Sequence, residues 1–325
     1  TSRMTESMDR SERILVKYPL FKTAIARIQA CFDSHDATAE PDCCPLVGES
    51  GSGKTTIISY FASIHPRVDH KSGVEVPVLV AKVPARPTVK SFAETLLYQL
   101  GDPLWSRGNT VSKSIRLREL IKRCRVRLLA LDEFQHFVDV RRASIVTDVA
   151  DWLKEQVEEA RLAIVVSGLQ RSLEVLRQNE QLRCRFGSTL RVSAFRWDIK
   201  EDRTTYRAFL RAVQDQLPEY EMPNLADLDL AFRMHYASYG LIGYTMKIIR
   251  GAARIASAHP RRQITIRTFS QSYADHIWSE RLSDPNPFGE KFDCEKAPPI
   301  ALPSATACIP PSTLTPRAVR LELHA

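Results

Sequence analysis

Short apolar runs alternate with longer amphipathic stretches up to about residue 197, and there the alternation stops. The runs Cys43–Val47, Val74–Val83, Val126–Glu133, Arg161–Gly168 and Leu190–Phe195 are rich in valine, leucine and isoleucine, as strands buried on both faces of a parallel sheet are. Apolar residues at helical spacing mark Ile14–Cys31, Ile57–Ile64, Val89–Leu100, Ser112–Cys124, Ser144–Ala160 and the shorter Arg171–Gln178. Arg67–Gly73 reads as a polar link and Gly101–Thr110 as a loop. Beyond residue 198 only helices are predicted, over about Lys200–Leu217, Ala226–Ser238, Tyr244–Ala258 and Phe269–Arg281, with Gly240 and Pro260 as punctuation. This order predicts an α/β domain over 13–197 built on a five-stranded parallel sheet, then a small all-helical lid domain over 198–283. Residues 1–12 read as a flexible lead. Residues 284–325 hold eight of the nineteen prolines and show no periodicity, which predicts a disordered Pro-rich tail. Its apolar islands, Ile300–Leu302 and Ala318–Leu323, are candidate docking points for a partner.

One turn in this pattern carries chemistry. Gly48–Thr56 reads GESGSGKTT and fits G-x-x-x-x-G-K-[ST], between a predicted strand and a predicted helix. Gly48, Gly51 and Gly53 let the backbone N–H groups turn inward around an anion, with Glu49, Ser50, Ser52 and Thr56 completing the loop. Lys54 supplies a positive charge for the β- and γ-phosphates, and the Thr55 hydroxyl is a Mg²⁺ ligand candidate. The helix N-terminus adds its dipole. ATP with Mg²⁺ is therefore the expected ligand.

A second apolar strand, VRLLALDE, ends in two acids about eighty residues later. Asp132 is placed to hold Mg²⁺ through its water shell. Glu133 is placed to polarise the attacking water. Ser167 and Gln170, at the tip of the next strand, are candidate sensors of the γ-phosphate. Within Asn179–Val192, Arg183 and Arg185 precede Phe186 in a predicted loop ahead of the strand Leu190–Phe195. An arginine there can reach a γ-phosphate held by a neighbouring subunit, and Arg185 is the preferred candidate. Tyr18 and Pro19, ahead of the phosphate loop, are candidates for walling the adenine pocket.

Composition refines the picture. Apolar residues make up 44% of the 325, enough for a sizeable core, and the net charge is +8. Much of that excess lies in Arg107–Arg127, where eight basic residues, among them Lys113, Arg116 and Lys122, face only Glu119. Such a stretch suits a phosphate-backbone surface. The seven cysteines contain no C-x-x-C pair and read as reduced thiols. No apolar run approaches 18 residues and the N-terminus is polar, so a soluble cytoplasmic protein without a membrane partner is expected.

Five strands, a lid and the runs GESGSGKT, LLALDEFQHF (Leu128–Phe137), VVSGLQR (Val165–Arg171), NEQLRCRF (Asn179–Phe186) and YGLIGYTMKIIRGAARIA (Tyr239–Ala256) resemble the AAA+ ATPases, and among them the TniB/TnsC transposition regulators. The resemblance spans about Ile14–Arg281. It implies an ATPase that assembles on double-stranded DNA, independently of sequence, as a homo-oligomeric ring of about six or seven subunits or a helical filament. It also implies a link between a target-selection protein and transposase subunits in a bacterial cytoplasm. Lys90 aligns with the family's DNA-contacting lysine, and Thr110 is a second carry-over. The chain departs from the AAA+ pattern at the lid, where Gly243 and Tyr244 stand near the usual arginine, and after the fourth strand, where Leu169 stands near the usual sensor threonine. Two alternatives share the fold: an initiator or helicase-loader ATPase, and a signalling NTPase whose partners are proteins alone.

Overall fold

A computed structural model describes residues 11–37, 40–71, 73–140, 143–277 and 285–297. In chain order the elements are α1 (Pro19–Ala37), β1 (Cys44–Gly48), α2 (Lys54–Ile64), β2 (Val68–His70), β3 (Gly73–Glu75), β4 (Val78–Lys82), α3 (Val89–Gln99), α4 (Thr110–Arg123), β5 (Leu128–Asp132), α5 (His136–Asp139), α6 (Ala143–Ala160), β6 (Ala163–Gly168), α7 (Leu173–Arg177), α8 (Glu180–Arg185) and β7 (Leu190–Val192). The helical part follows as α9 (Lys200–Asp215), α10 (Leu228–Ser238), α11 (Ile242–Ser257) and α12 (Ile266–His276). Polar residues start many helices. Thr88 and Thr265 form capping boxes, and Asn109, Asn179 and Asp227 each accept a backbone N–H of the first turn.

Five parallel strands pair in the order β4-β5-β6-β1-β7. After β1 the chain crosses to the far edge, works back through β4, β5 and β6, and places β7 on the other side of β1. The topological switch point therefore flanks β1, where open α/β sheets bind ligands beyond their strand ends. Strand alternation divides the interior in two. Leu128 and Ala130 of β5 join α1, α2 and the helical part on one face, while Leu129 and Leu131 join α3, α4 and α6 on the other. The first of these cores runs from the sheet through Tyr18 and Phe21 into the lid helices without a break. Within the lid, fully buried Tyr206 satisfies its hydroxyl against Ser238 (3.3 Å) and Thr245 (2.8 Å).

The structure corrects four expectations. The polar link at 67–73 contains strand β2, which pairs antiparallel with β3, so the predicted strand Val74–Val83 is split. Pro77 lies at the break, where it has no N–H to give a ladder. The expected loop around Arg183 and Arg185 is instead helix α8, Glu180–Arg185. Ser11 and Glu12 are not a free lead: their carbonyls accept hydrogen bonds from Arg250 at 3.0 and 3.1 Å. The tail begins later than composition suggests. Phe288 and Phe292 are buried at 3% and 6% exposure, Phe292 lies under Arg233, and Arg233 donates to the Pro287 carbonyl at 2.9 Å. The apolar islands at Ile300–Leu302 and Ala318–Leu323 lie outside the described residues.

Candidate functional site

β1 ends at Gly48 and α2 begins at Lys54, so the turn between them must reverse within a few residues. Gly51 and Gly53 manage this at φ 79° and 102°, a region in which a side chain is strained. Gly53 caps α2 without a side chain, leaving the helix N-terminal N–H groups open towards a cavity of about 300 Å³. Ser50, Gly51, Gly53, Lys54, Thr55 and Thr56 line that cavity. Gly48 and Glu49 instead face an adjoining cavity of about 610 Å³, and Ser52 is buried within the loop. Lys54 is 8% exposed and folds back, donating to the Gly48 and Glu49 carbonyls at 2.9 and 2.8 Å. Burial lowers its pKa, and Asp132, Glu133 and Glu49 oppose that shift.

The two acids close the other side of the cavity. The Thr55 hydroxyl donates to Asp132 Oδ2 at 2.7 Å, while Asp132 Oδ1 accepts from Ser167 at 2.9 Å and from the Glu133 N–H at 3.0 Å. A hydroxyl and a carboxylate are hard oxygen donors that suit Mg²⁺. Among the described residues no cluster of three His, Cys, Asp or Glu side chains could cage a metal. The donor set thus fits an ion completed by phosphate oxygens and water. Glu133 takes φ 57°, a left-handed conformation that costs a non-glycine residue about 1–2 kcal/mol. Gln135, only 5% exposed, donates to Glu133 Oε2 and accepts from the Leu169 N–H at 3.2 Å. It fixes the carboxylate against the tip of β6.

The bacterial TniB protein family matches residues 8–198, more than half of the chain. The chain belongs to the TniB family. Its fold is the AAA+ ATPase fold, shared with solved ORC and Cdc6 proteins. The ORC2 protein of Aeropyrum pernix, in ADPNP and ADP complexes, superposes with TM-score 0.60 at 18% identity, over 79% of this chain and 68% of that one. Cdc6p of Pyrobaculum aerophilum gives TM-score 0.58 at 14% identity, over 82% and 69%. The Aeropyrum pernix ORC1 protein in complex with DNA gives 0.54 at 16% identity, over 78% and 64%. The TniB-family chain therefore spans about two-thirds of the length of each. No curated protein matches it significantly.

Other predicted residues of the TniB-family chain divide between those brought to the site and those held elsewhere. Ser167 is fully buried and holds Asp132, so it acts behind the acid and does not face the cavity directly. Gln170 accepts from Arg191 at 2.8 Å and lines the adjoining cavity; Gln135 occupies the position beside Glu133 expected of a sensor. Tyr18 is 7% exposed among Phe21, Phe195 and Phe209, and burial pushes its pKa up to about 12. It is a packing residue between α1, the phosphate loop and the lid. Arg185 is tied within its own subunit to Glu40 (2.7 Å) and Glu158 (3.3 Å) and is 18% exposed. Arg183, on the same helix, is 63% exposed.

The basic stretch is not one surface. Lys113 has no exposure; it pairs with Glu94 at 3.0 Å and donates to the Trp105 carbonyl at 2.9 Å. Arg116 holds Asp102 at 2.8 Å and the Leu104 carbonyl at 2.7 Å, locking the loop before α4. Buried Lys113 is not available as a DNA contact in this conformation, and Arg116, 27% exposed, is engaged by internal partners. Lys122 is exposed. Lys90 and Thr110 come from separate helices yet line one groove of about 600 Å³, opposite Asp148, Asp151 and Glu155. Two residues lining the cavity carry no motif signal in the sequence. Gln135 lay within the LDEFQHF run, two places after the catalytic candidate. Gly243 stands where the AAA+ pattern has an arginine, and it lines the same cavity.

Proposed function

We propose that this TniB-family chain binds ATP with Mg²⁺, hydrolyses it, and uses the nucleotide to control assembly on double-stranded DNA during transposition. The observation that carries the reading is the 2.7 Å contact between Thr55 and Asp132 beside Glu133, which joins the phosphate loop to the acidic strand end. Lys54 releases the loop carbonyls to meet β- and γ-phosphate oxygens, and the α2 N–H groups complete the cradle. A magnesium ion held by Thr55 and Asp132 would neutralise charge on the phosphates. Glu133, aimed by Gln135, accepts a proton from the attacking water. As the arginine reaching a neighbour's nucleotide we favour Arg183, 63% exposed and paired with Glu180 of its own helix, over Arg185, tied to Glu40 and Glu158. Lys90, Thr110 and Lys122 are the proposed backbone contacts to DNA. On this reading the assembly links a target-selection protein to a transposase.

The test is Glu133→Gln. It should bind ATP as the wild type does, lose on the order of 100-fold or more in turnover, and persist on duplex DNA in ATP. Wild-type turnover in the variant, or its prompt release from DNA, defeats the proposal. The likeness to ORC and Cdc6 proteins favours a second reading, an initiator- or loader-type ATPase. ATP-driven strand displacement, or loading of a helicase, would favour it; the scaffold reading expects neither.

A further inference from the structure

A main-chain hydrogen bond joins the lid to the phosphate loop. The Gly243 N–H, in the first turn of α11, donates to the Gly51 carbonyl at 2.7 Å. A Cβ at Gly243 would lie 2.8 Å from that oxygen and 2.9 Å from the Gly51 Cα, closer than real side chains come. Gly243 is also the one lid residue among those lining the 300 Å³ phosphate cavity. The Tyr244 ring stands 3.8 Å from the position a Gly51 Cβ would take. The other end of the same segment is equally confined. Gly240, at φ 68°, accepts the Phe195 N–H at 3.0 Å, and a Cβ there would meet the Phe195 carbonyl at 2.2 Å. Phe195 belongs to the connection between β7 and the lid. A short segment, Gly240–Gly243, is thus pinned to the hinge at one end and to the phosphate loop at the other.

We propose that Gly243 is a positioning residue: its N–H latches the lid to the Gly51 carbonyl and couples occupation of the phosphate loop to lid position without any charged lid side chain. The bond also fixes the Gly51–Ser52 peptide with its oxygen turned out to the lid. Phosphates in the cradle hold the loop in one conformation, and the latch passes that order to α11 and the hinge. Any side chain at position 243 forces α11 away from the loop and opens one wall of the cavity. The inference rests on the nucleotide reading above, so its test separates the two.

The chain labelled with ¹⁵N-glycine reports Gly243 directly through the exchange of its amide with deuterium. In the wild type this amide should be protected, and a non-hydrolysable ATP analogue with Mg²⁺ should slow its exchange about tenfold or more. Gly243→Ala should bind a fluorescent ATP analogue about tenfold more weakly, with faster exchange over residues 239–248 and unchanged exchange in α12. Tyr244→Ala, which keeps the N–H, should change affinity less than about threefold. If the wild type binds no nucleotide, the ATP reading fails. If it binds nucleotide while Gly243 exchange is unmoved by it, or Gly243→Ala binds as tightly as wild type, the latch fails alone. Should Gly243→Ala not fold, the wild-type exchange measurement still decides.

Discussion

The Lys113 ammonium group is wholly inside the protein, 3.0 Å from Glu94 and 2.9 Å from the Trp105 carbonyl. Removing it leaves Glu94, itself 24% exposed, and a loop carbonyl without their partner. Breaking a buried pair by deleting one member costs about 3–5 kcal/mol, and partial exposure of Glu94 reduces this to about 2–3 kcal/mol. Lys113→Ala should therefore lower unfolding stability by that amount in urea titrations, while DNA affinity of the folded protein stays within twofold. A loss of DNA affinity without loss of stability would return Lys113 to the surface role that the basic run suggested. The signal against that role was already in the sequence. Lys113, Leu117 and Ile121 recur at four-residue spacing, and all three lie on the buried face of α4. A charge run shows how many cations a segment carries; helical phase decides which of them meet solvent. In the phosphate loop, spacing and geometry coincide, for Lys54, Thr55 and Asp132 line one cavity and Thr55 donates to Asp132.

At the scale of elements, the turn from β7 into the lid is held by a buried histidine. His235 in α10, 2% exposed, bonds through Nε2 to the Phe195 carbonyl at 2.7 Å, and its buried Nδ1 has no partner. The bond to a carbonyl requires the Nε2–H tautomer, so protonation would place both a charge and an unpaired N–H in the interior. Burial lowers the His235 pKa; the Phe195 carbonyl, Asp198 and Asp202 oppose the shift. With the folded value below the unfolded one near 6.5, the unfolded chain takes up the proton first, and stability falls as pH drops below about 6.5. Thermal melts should show His235→Gln less stable than wild type at pH 7.5 but with a smaller further loss at pH 5.5. Equal losses in the two proteins would exclude His235 as the source. Elements of this kind were legible to different degrees. Five strands and four lid helices followed from apolar periodicity, which burial on both faces or one face imposes. Strand β2 is exposed and β3 only half-buried through Val74, too little burial to impose a pattern, and the segment 285–297 docks by two phenylalanines amid residues whose composition resembles a linker.

For the whole molecule, the net charge of +8 does not locate the proposed DNA-facing surface, since many cations of the basic stretch are paired with acids of the same chain. Within Arg107–Arg127, Lys113, Arg116, Arg118, Arg125 and Arg127 each meet a carboxylate of the same chain. Among the described residues, Arg107, Lys122 and Arg123 are the exposed cations of that stretch without an acidic partner. Lys90 stands apart in sequence, but its helix starts beside Thr110 in one groove. A duplex at that groove would be expected to meet Lys90 and Thr110, because Asp148 and Asp151 lining the same groove repel phosphate while Glu155 is paired with Arg118. Each lysine that neutralises one phosphate contributes about 0.9 to the slope of log affinity against log salt. Lys90→Ala combined with Lys122→Ala should reduce that slope by about 2 for each bound subunit and weaken binding equally to unrelated duplex sequences. Arg116→Ala, which frees Asp102 and the loop before α4, should lower the melting temperature and leave the slope unchanged. Fluorescence-anisotropy titrations from 50 to about 200 mM salt, with ATP analogue present throughout, distinguish these outcomes. A slope that falls with Arg116→Ala and not with the lysine pair would place the DNA on the far side of α4, against the loop that Arg116 now locks.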